Sequence, residues 1–517
     1  MKIKFKLIAS TVLLTVALVF DSDVRGQSPS SPSSSPPQSE QAADKTKSDT
    51  ETQPKAAAAK PAQATDASAK TALGPYVPVK PAQSPDPVAA KSAQASDAAT
   101  NPAQAQQAAA TPTTPEPDFW HQEELTGNWG GARSRWKDKG FEMEISLTNF
   151  VQGVASGGIA TATEYTGSFQ TLFKFDFGKL AGWKFWLAEI KTETRFGGPL
   201  LGGTGAINPV NTTAIIPGAN NTIFSVTAVN VTKLFPINLQ EGKLIALSFG
   251  RFNMLDLVQE DLFGGFGTDR FFNLAQIGPL TVLRQVPLIT NMISFAYIRG
   301  GEPFITFAVL DPNDQSVQPG LLELFKDGVT LSPGINFPTK YFGKSGKHTF
   351  GGAVTTKAYT PLDAIRQIII PEESINVIEP QRGSFSVNYV FRQYFVERAP
   401  HDGWGLFTQF SFADKETSPI TTFFDIGIGG NGLFNSRRYD EFGVAYAFTD
   451  LSPVLNDNLD LIPFLNRRLR AEHQVEMYYN FHITPWLQFT ADLQVIRPSR
   501  PIADTAIVPG GRLKIVF

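Results

Sequence analysis

The amino-acid sequence predicts an all-β fold, a transmembrane antiparallel β-barrel of about 16 strands, and three observations point to it. Segments in which polar and apolar residues alternate recur from residue 141 to the end. Phenylalanine is abundant, with 41 residues, although mean hydropathy is only −0.11. The last such segment ends on an aromatic residue, Phe517. In a barrel wall every second side chain faces lipid and the others face water. Such a protein can therefore contain many aromatic residues while its mean hydropathy stays modest.

The N-terminus has the pattern of a secretory signal peptide, which we place at residues 1–26. Its apolar run, Leu7 to Phe20, has 14 residues and is short for a membrane-spanning helix. We place cleavage after Gly26, and the alternative is an uncleaved membrane anchor. No other apolar run approaches the length of about 20 residues that a spanning helix needs, which excludes a helical membrane protein. The positive region before the run consists of Lys2, Lys4 and Lys6.

A low-complexity extension follows at residues 27–117. It consists mainly of Ala, Pro, Ser, Gln and Thr, and Tyr76 is its only aromatic residue. Such a segment cannot bury enough apolar surface to offset the entropy lost on ordering, so we expect it to be disordered. We favour a passive spacer, and a periplasmic tether that contacts the cell wall is the alternative.

Residues 118–140 are predicted to form a Gly-rich turn and a short helix. The turn runs from Glu124 to Gly131, and the eight residues from Ala132 to Lys139 can form two helical turns before Gly140 stops them. From residue 141 onward the alternation begins, so we assign 141–517 to the barrel.

Sixteen strand segments are predicted in this barrel region. In the first, Phe141 and Met143 share one face while Glu142 and Glu144 share the other, as expected for a strand with two different sides. The next two lie near 171–177 and 186–195. The later ones lie near 222–234, 243–252, 292–299, 303–311, 328–341, 347–358, 384–395, 404–412, 420–429, 440–449, 472–483, 486–496 and 511–517. The weakest is 328–341, because Pro333 and Pro338 each remove a ladder donor.

The connections alternate between short and long. Short ones such as Gly300-Gly301 and Thr484-Pro485 are expected on the periplasmic side. Long ones near 196–221, 253–291, 360–383 and 450–466 are expected to face outward, or to fold into the lumen and narrow it.

The final segment carries a signal typical of bacterial outer-membrane proteins. Leu513, Ile515 and Phe517 share one face, while Arg512 and Lys514 share the other. Outer-membrane proteins commonly end in this way because the assembly machinery reads the terminal strand. We therefore expect that machinery, through Phe517, and outer-membrane lipid as partners.

Composition and motifs argue against several other functions. The net charge of −3 gives no basic excess for nucleic acid. The chain has no cysteine, so disulfides and thiolate chemistry are excluded. Its five histidines do not fall at metal-ligand spacing, and neither a G-x-S-x-G element nor a P-loop occurs. We predict no enzyme, no catalytic residue, no metal and no cofactor; a barrel hydrolase with a Ser–His pair remains the alternative.

A ladder of four charges is the main candidate for a functional site. The four charges follow one another at every second position from residue 189 to residue 195. If the residues between and before them, such as Trp186, Ala188 and Ile190, face lipid, the four charges must line the lumen, because charges are costly on the lipid face. Mixed signs offer many hydrogen-bond partners without strong ion selection, which suits a neutral polyhydroxylated solute such as a sugar. A solvated wall without a particular substrate is the alternative. The pore-lining candidates are Glu189, Lys191, Glu193 and Arg195 in the ladder. To these we add Arg251 and Asp256, as a constriction or as a structural ion pair.

Three motifs resemble the carbohydrate-selective porins of the OprB family. The segment Leu125 to Gly131, followed by Arg133 and Gly140, resembles that family's "LTGDWGG…R…G" opening, with Asn128 in place of the usual Asp. The other two motifs are Glu241-Gly242-Lys243-Leu244 with Gly250 and Asp256, and Thr484-Pro485-Trp486-Leu487 with Asp492-Leu493-Gln494 and Pro498.

The resemblance covers about 120–517 and implies a sixteen-stranded outer-membrane barrel that passes mono- and oligosaccharides by facilitated diffusion. Residues 200–240 and 360–383 depart from the family pattern, and the extension is not explained by it. A general diffusion porin and a structural protein that anchors the envelope are the alternative functions.

Overall fold

The structure is a computed structural model that describes residues 118–198, 200–215, 223–258, 262–316, 321–365, 378–460 and 468–517. The predicted signal peptide (1–26) and extension (27–117) lie outside the described residues. Within these ranges, no helix has the length and apolar character required to cross a membrane.

Sixteen long antiparallel strands form a closed barrel, which confirms the predicted fold class. From β3 onward each strand pairs with the next, and β1 pairs with both β3 and β17. Closure removes the unpaired strand edges that a bilayer does not tolerate. The long strands are β1 (Phe141–Val154), β3 (Ala162–Asp176), β4 (Trp186–Gly197), β5 (Ile223–Asn238), β6 (Lys243–Asn253), β7 (Ile289–Arg299), β8 (Glu302–Leu310), β9 (Thr330–Tyr341), β10 (Lys344–Tyr359), β11 (Gln381–Ala399), β12 (Asp402–Ala413), β13 (Ile420–Asn431), β14 (Glu441–Leu451), β15 (Glu472–His482), β16 (Leu487–Arg497) and β17 (Asp504–Val516). The short strand β2 (Ser156–Gly158) adds to β17.

Helices are few in the described residues, and none of them forms part of the barrel wall. The predicted helix is present as α1 (Ala132–Lys139), and it ends at Gly140, which has a positive φ of 97°. A Cβ at Gly140 would lie only 2.6 Å from the Asp176 carbonyl oxygen, so glycine is required at this stop. The other α-helices are α2 (Phe177–Ala181), α3 (Leu201–Thr204) and α4 (Pro453–Asp460). Single 3₁₀ turns span Thr213–Ile215, Met254–Leu257, Leu274–Gln276, Leu280–Arg284, Leu321–Glu323 and Leu362–Ala364.

The segment with two prolines is a full strand, β9, paired on both sides. Pro333 lies opposite Phe307 of β8. On the other side, residues 332 and 333 have no partner in β10, although the pairs at Gly334 and Leu331 on either side of them keep one register. Pro333 therefore falls where the ladder with β10 has a gap, which accommodates the missing donor.

The two ends of the barrel differ in the length of their connections. We call the end that contains 239–242, 300–301, 342–343 and 400–401 the short-turn end, and the opposite one the long-loop end. Gly300-Gly301 and Thr484-Pro485 share the short-turn end, as predicted. All seven tryptophans also lie there, in the segment before β1, in turns or at strand starts. They are Trp120, Trp129, Trp136, Trp183, Trp186, Trp404 and Trp486.

The two faces of the wall differ in polarity, as expected for a barrel in lipid. In β1 the outward Val151 is exposed while the inward Gln152 is buried, and in β17 Leu513 and Arg512 show the same contrast. Outward side chains are largely aromatic or aliphatic. The interior is therefore the polar compartment of the molecule.

The segment before β1 docks on the short-turn end. The Leu125 amide donates to the Val516 carbonyl at 2.8 Å. The Arg133 guanidinium donates to the Phe517 carbonyl at 2.6 Å and stacks over the Trp129 ring at 4.4 Å. The Gly-rich motif of the sequence thus joins the first and last parts of the barrel.

Candidate functional site

The barrel lumen is the candidate functional site, because two long connections fold into it. We call residues 200–215 inner loop 1, and residues 254–258 with 262–288 inner loop 2. Inner loop 2 reaches opposite walls: Phe272 packs against Phe150 of β1 at 5.3 Å between ring centroids, and Phe263 stacks on Phe407 of β12 at 4.8 Å. Of the two orientations expected for these connections, the inward one is observed.

The two inner loops bind each other. The Thr212 amide donates to the Phe272 carbonyl at 2.8 Å, and the Leu274 amide donates to the Pro209 carbonyl at 3.1 Å. The two inner loops therefore form one layer across the lumen, and these backbone groups satisfy one another.

Buried carboxylates of β15 hold this layer against the wall. Glu472 accepts hydrogen bonds from the amides of Ile207 at 2.8 Å and Asn208 at 3.1 Å in inner loop 1. Glu476 accepts one from the Phe272 amide in inner loop 2 at 2.5 Å. Two acidic side chains of one strand thus hold both inner loops against the wall, and the loops narrow the lumen.

Lys191 is the centre of the predicted charge ladder. Its ammonium lies 2.6 Å from Asp256 and 3.2 Å from Glu193, and 4.4 Å from the centre of the Phe266 ring. Asp256 belongs to inner loop 2, so the ladder contacts that loop directly. The predicted candidates Lys191 and Asp256 are thus brought together, although they are 65 positions apart.

The other ladder residues differ in accessibility. Glu193 and Arg195 are 0 % exposed. Glu193 accepts hydrogen bonds from Thr227 at 3.0 Å and Asn253 at 3.2 Å. Glu189 is half-buried and keeps access to solvent. A pore-lining role for the ladder stays a prediction, and in this conformation Glu193 and Arg195 lie in the wall behind other side chains.

The structure places Arg251 differently from the prediction. The strand register sets it opposite Val229 and Asn291, two residues after the exposed Phe249. Phe252, the next residue, packs in the apolar cluster beneath inner loop 2. Alternation therefore puts Arg251 on the outward side of the strand, which argues against a place in the lumen.

Further ion pairs of the lumen were missed by the sequence reasoning. Lys174 of β3 lies 2.5 Å from Glu144 of β1. On another part of the wall, Glu302 of β8 pairs with Arg392 at 3.4 Å and Lys347 at 3.9 Å. Alternation indicates an inward face for each of these residues, but only the register shows which strands bring opposite charges together.

Metal binding finds no support in the described parts of the chain. There, no group of three or more histidine or acidic side chains could hold a metal ion. The chemistry available in the lumen is that of ion pairs, hydroxyls and amides, which bind polar solutes without a covalent step.

Comparisons with known proteins agree with this architecture. The family model described as "Carbohydrate-selective porin, OprB family" matches residues 160–517. Porin B of Pseudomonas aeruginosa is 22% identical over 438 residues, covering 76% of this chain and 91% of that protein. The high-pH structure of Pseudomonas putida OprB is 20% identical, with a TM-score of 0.65, covering 78% of this chain and 100% of that one. The structural likeness shows a shared barrel fold.

Proposed function

The chain belongs to the OprB family of carbohydrate-selective porins, and from this premise we propose that sugars diffuse passively across the bacterial outer membrane through the lumen beside its inner loops. The protein is a channel for small sugars, and the chemistry of its wall supports this role. Diffusion needs weak, reversible contacts that let a solute both enter and leave.

The observation that carries the proposal is the pairing of charges in the lumen. Lys174 with Glu144, Arg392 with Glu302, and Lys191 with Asp256 each combine a base and an acid within 3.4 Å. Such pairs create little field of a single sign, so they select weakly among ions. They still present charged donors and acceptors, which can replace the water that hydrates sugar hydroxyls.

Among the predicted candidates, we propose that Glu189, Lys191 and Asp256 contact the solute. Glu189 and Asp256 keep partial exposure, and Lys191 lies beside Asp256. Glu193 is buried against Lys191, so we propose that it positions this ammonium. Arg195 is buried further along the same strand and has a structural role in this proposal.

Conductance of the purified protein in a planar bilayer tests the proposal. We expect stable channel steps that maltodextrins block in a concentration-dependent way. The double substitution Lys191→Gln with Asp256→Asn should leave the channel open and weaken the block roughly threefold to tenfold, the change produced by losing about one hydrogen bond.

A matched control removes an ion pair outside the lumen. Lys326 and Glu323 form an exposed pair at 2.9 Å in the connection after β8. The variant Lys326→Gln with Glu323→Gln should be blocked like the wild type. Failure of the wild type to conduct would contradict a porin role, and conductance that sugars never block would favour a general diffusion porin.

Export and assembly complete the proposed function. We propose that residues 1–26 direct export to the periplasm and that the strand ending at Phe517 is presented to the assembly machinery. The Trp486 indole donates to the Phe119 carbonyl at 3.0 Å, so the described chain begins at the short-turn end, the side we assign to the periplasm.

This position also bears on the extension, residues 27–117. We propose that it is a spacer on the periplasmic side, and a cell-wall tether is the second candidate. Deletion of 27–117 should leave sugar uptake unchanged. A loosened envelope in the deletion strain would favour the tether, whereas an intact envelope would favour the spacer.

A further inference from the structure

The side chain of Arg512 in β17 binds the backbone of inner loop 2. The side chain points into the lumen and is buried, with the whole residue 1% exposed. Its guanidinium also lies over the ring of Phe272, at 4.6 Å from the ring centre. The groups that accept its hydrogen bonds are the carbonyls of Gly267 at 2.7 Å, Arg270 at 2.7 Å and Asp269 at 2.5 Å, and the Thr490 hydroxyl at 2.8 Å.

Two further wall residues hold the same stretch of the loop. Lys514, two residues along β17, forms an ion pair with Asp269. Glu476 of β15 accepts hydrogen bonds from the amides of Phe272 at 2.5 Å and Asn273 at 3.0 Å. Arg512 thus binds the carbonyls of residues 267, 269 and 270, and Glu476 binds the amides of residues 272 and 273.

The chemistry of arginine suits this task. Its planar guanidinium carries five donors in a fixed fork, so one side chain can satisfy several carbonyls at once. Burying a guanidinium without partners is costly, and so is burying carbonyls without donors. The guanidinium and the loop carbonyls are both paired only when the loop lies against β17, so Arg512 stabilises this one position of the loop.

We propose that Arg512 is a positioning residue that holds inner loop 2 in the lumen and thereby sets the aperture of the pore and the affinity of the pore for sugars. The sugar part of this inference rests on the proposed function. Inner loop 2 also carries Asp256, which contacts Lys191 at 2.6 Å, so a shift of the loop would alter a proposed sugar contact.

The test compares Arg512→Gln and Arg512→Lys with the wild type in planar bilayers. In both variants we expect a larger mean conductance, more open-channel noise, and block by maltotriose weakened roughly fivefold, as when one hydrogen bond is lost. Lysine should fail to restore the wild-type values, because its single nitrogen cannot serve three carbonyls in the geometry of the fork.

Arg398→Gln is a matched control. Arg398 of β11 likewise binds backbone carbonyls, those of Asn431 at 2.9 Å and Gly432 at 3.3 Å, but it does so at the short-turn end and binds the Asp402 carboxylate at 2.8 Å as well. This variant loses a comparable set of bonds without touching inner loop 2. It should therefore lower stability while conductance, noise and block stay at wild-type values.

Assembly of each variant is checked by heat-modifiable mobility on gels and by circular dichroism. Wild-type conductance and block in an assembled Arg512→Gln would overturn the inference. If that variant does not assemble, Glu476→Gln, which keeps the size of the side chain, must change conductance in the same direction, or the inference fails. If sugars do not block the wild type, the proposed sugar function fails, and conductance and noise still decide the aperture role.

Discussion

Replacing Gly429 by alanine is predicted to displace inner loop 2. Gly429 of β13 faces the lumen, since its neighbour Ile428 is exposed on the outer face. A Cβ at Gly429 would lie 2.2 Å from the carbonyl oxygen of Leu262, whereas ordinary contact begins at 3.4 Å. The loop backbone would therefore have to retreat by about 1.2 Å, because the strand is held by pairing on both sides.

The energetic effect follows from what this retreat disturbs. Phe263, the next residue of the loop, stacks on Phe407 of β12 and belongs to a buried aromatic cluster. Adding one methyl group to a close-packed contact costs about 1–3 kcal/mol. We expect the alanine variant to lose about this much free energy of unfolding and to change its channel conductance, since the shifted loop lies in the pore.

Urea unfolding in lipid vesicles, followed by circular dichroism, measures the loss. The control is Gly511→Ala in β17, where the nearest side-chain atom is Phe489 Cε2 at 3.7 Å, an ordinary contact. That variant should unfold like the wild type. Equal stability and equal conductance for Gly429→Ala and Gly511→Ala would refute the reasoning that the loop presses against β13.

Two further predictions concern the anchoring contacts. Burial favours the neutral acid, but the Lys514 ammonium holds the pKa of Asp269 well below its ordinary value of 3.8. The wild type should therefore be more stable than Asp269→Asn by the full amount above about pH 4, and this difference in stability should shrink as pH falls further. Acid unfolding curves of the two proteins measure the difference. An advantage that instead grows in acid would contradict the pairing. Arg133→Gln removes the hydrogen bond to the Phe517 carbonyl, so chymotrypsin should cleave the segment before β1 roughly tenfold to a hundredfold faster. The neighbouring Arg135→Gln should change cleavage little, and equal rates for the two variants would argue against the contact.

Features that depend on local alternation were predictable from the sequence. The inward faces of Lys191 and Arg512 follow from the period of two, and the stop of α1 follows from Gly140. Strand ends were less accurate: β17 begins at Asp504 rather than near 511, because Pro509 and two following glycines weaken the strand pattern. The strand β2 was missed because it has only three residues.

Features that depend on register and on the path of loops were not predictable. Nothing near Glu476 in the sequence shows that it receives the amides of residues 272 and 273, about 200 positions away. The side of β6 on which Arg251 lies likewise depends on register, because its pairing with Val229 sets it on the outward side. Long-range contacts of this kind follow from barrel closure, which a single sequence does not encode in any local pattern.

The confinement of every tryptophan to one end makes the protein its own orientation probe. Tryptophan fluorescence arises only from the short-turn end, so an impermeant quencher added outside sealed vesicles reports the fraction of molecules whose short-turn end faces outward. Sugar block or current rectification measured in the same preparation can then be assigned to entry from one mouth of the channel without a chemical label. A tryptophan introduced into inner loop 2 would add an emission from inside the lumen, and the difference between the two signals would follow the loop alone.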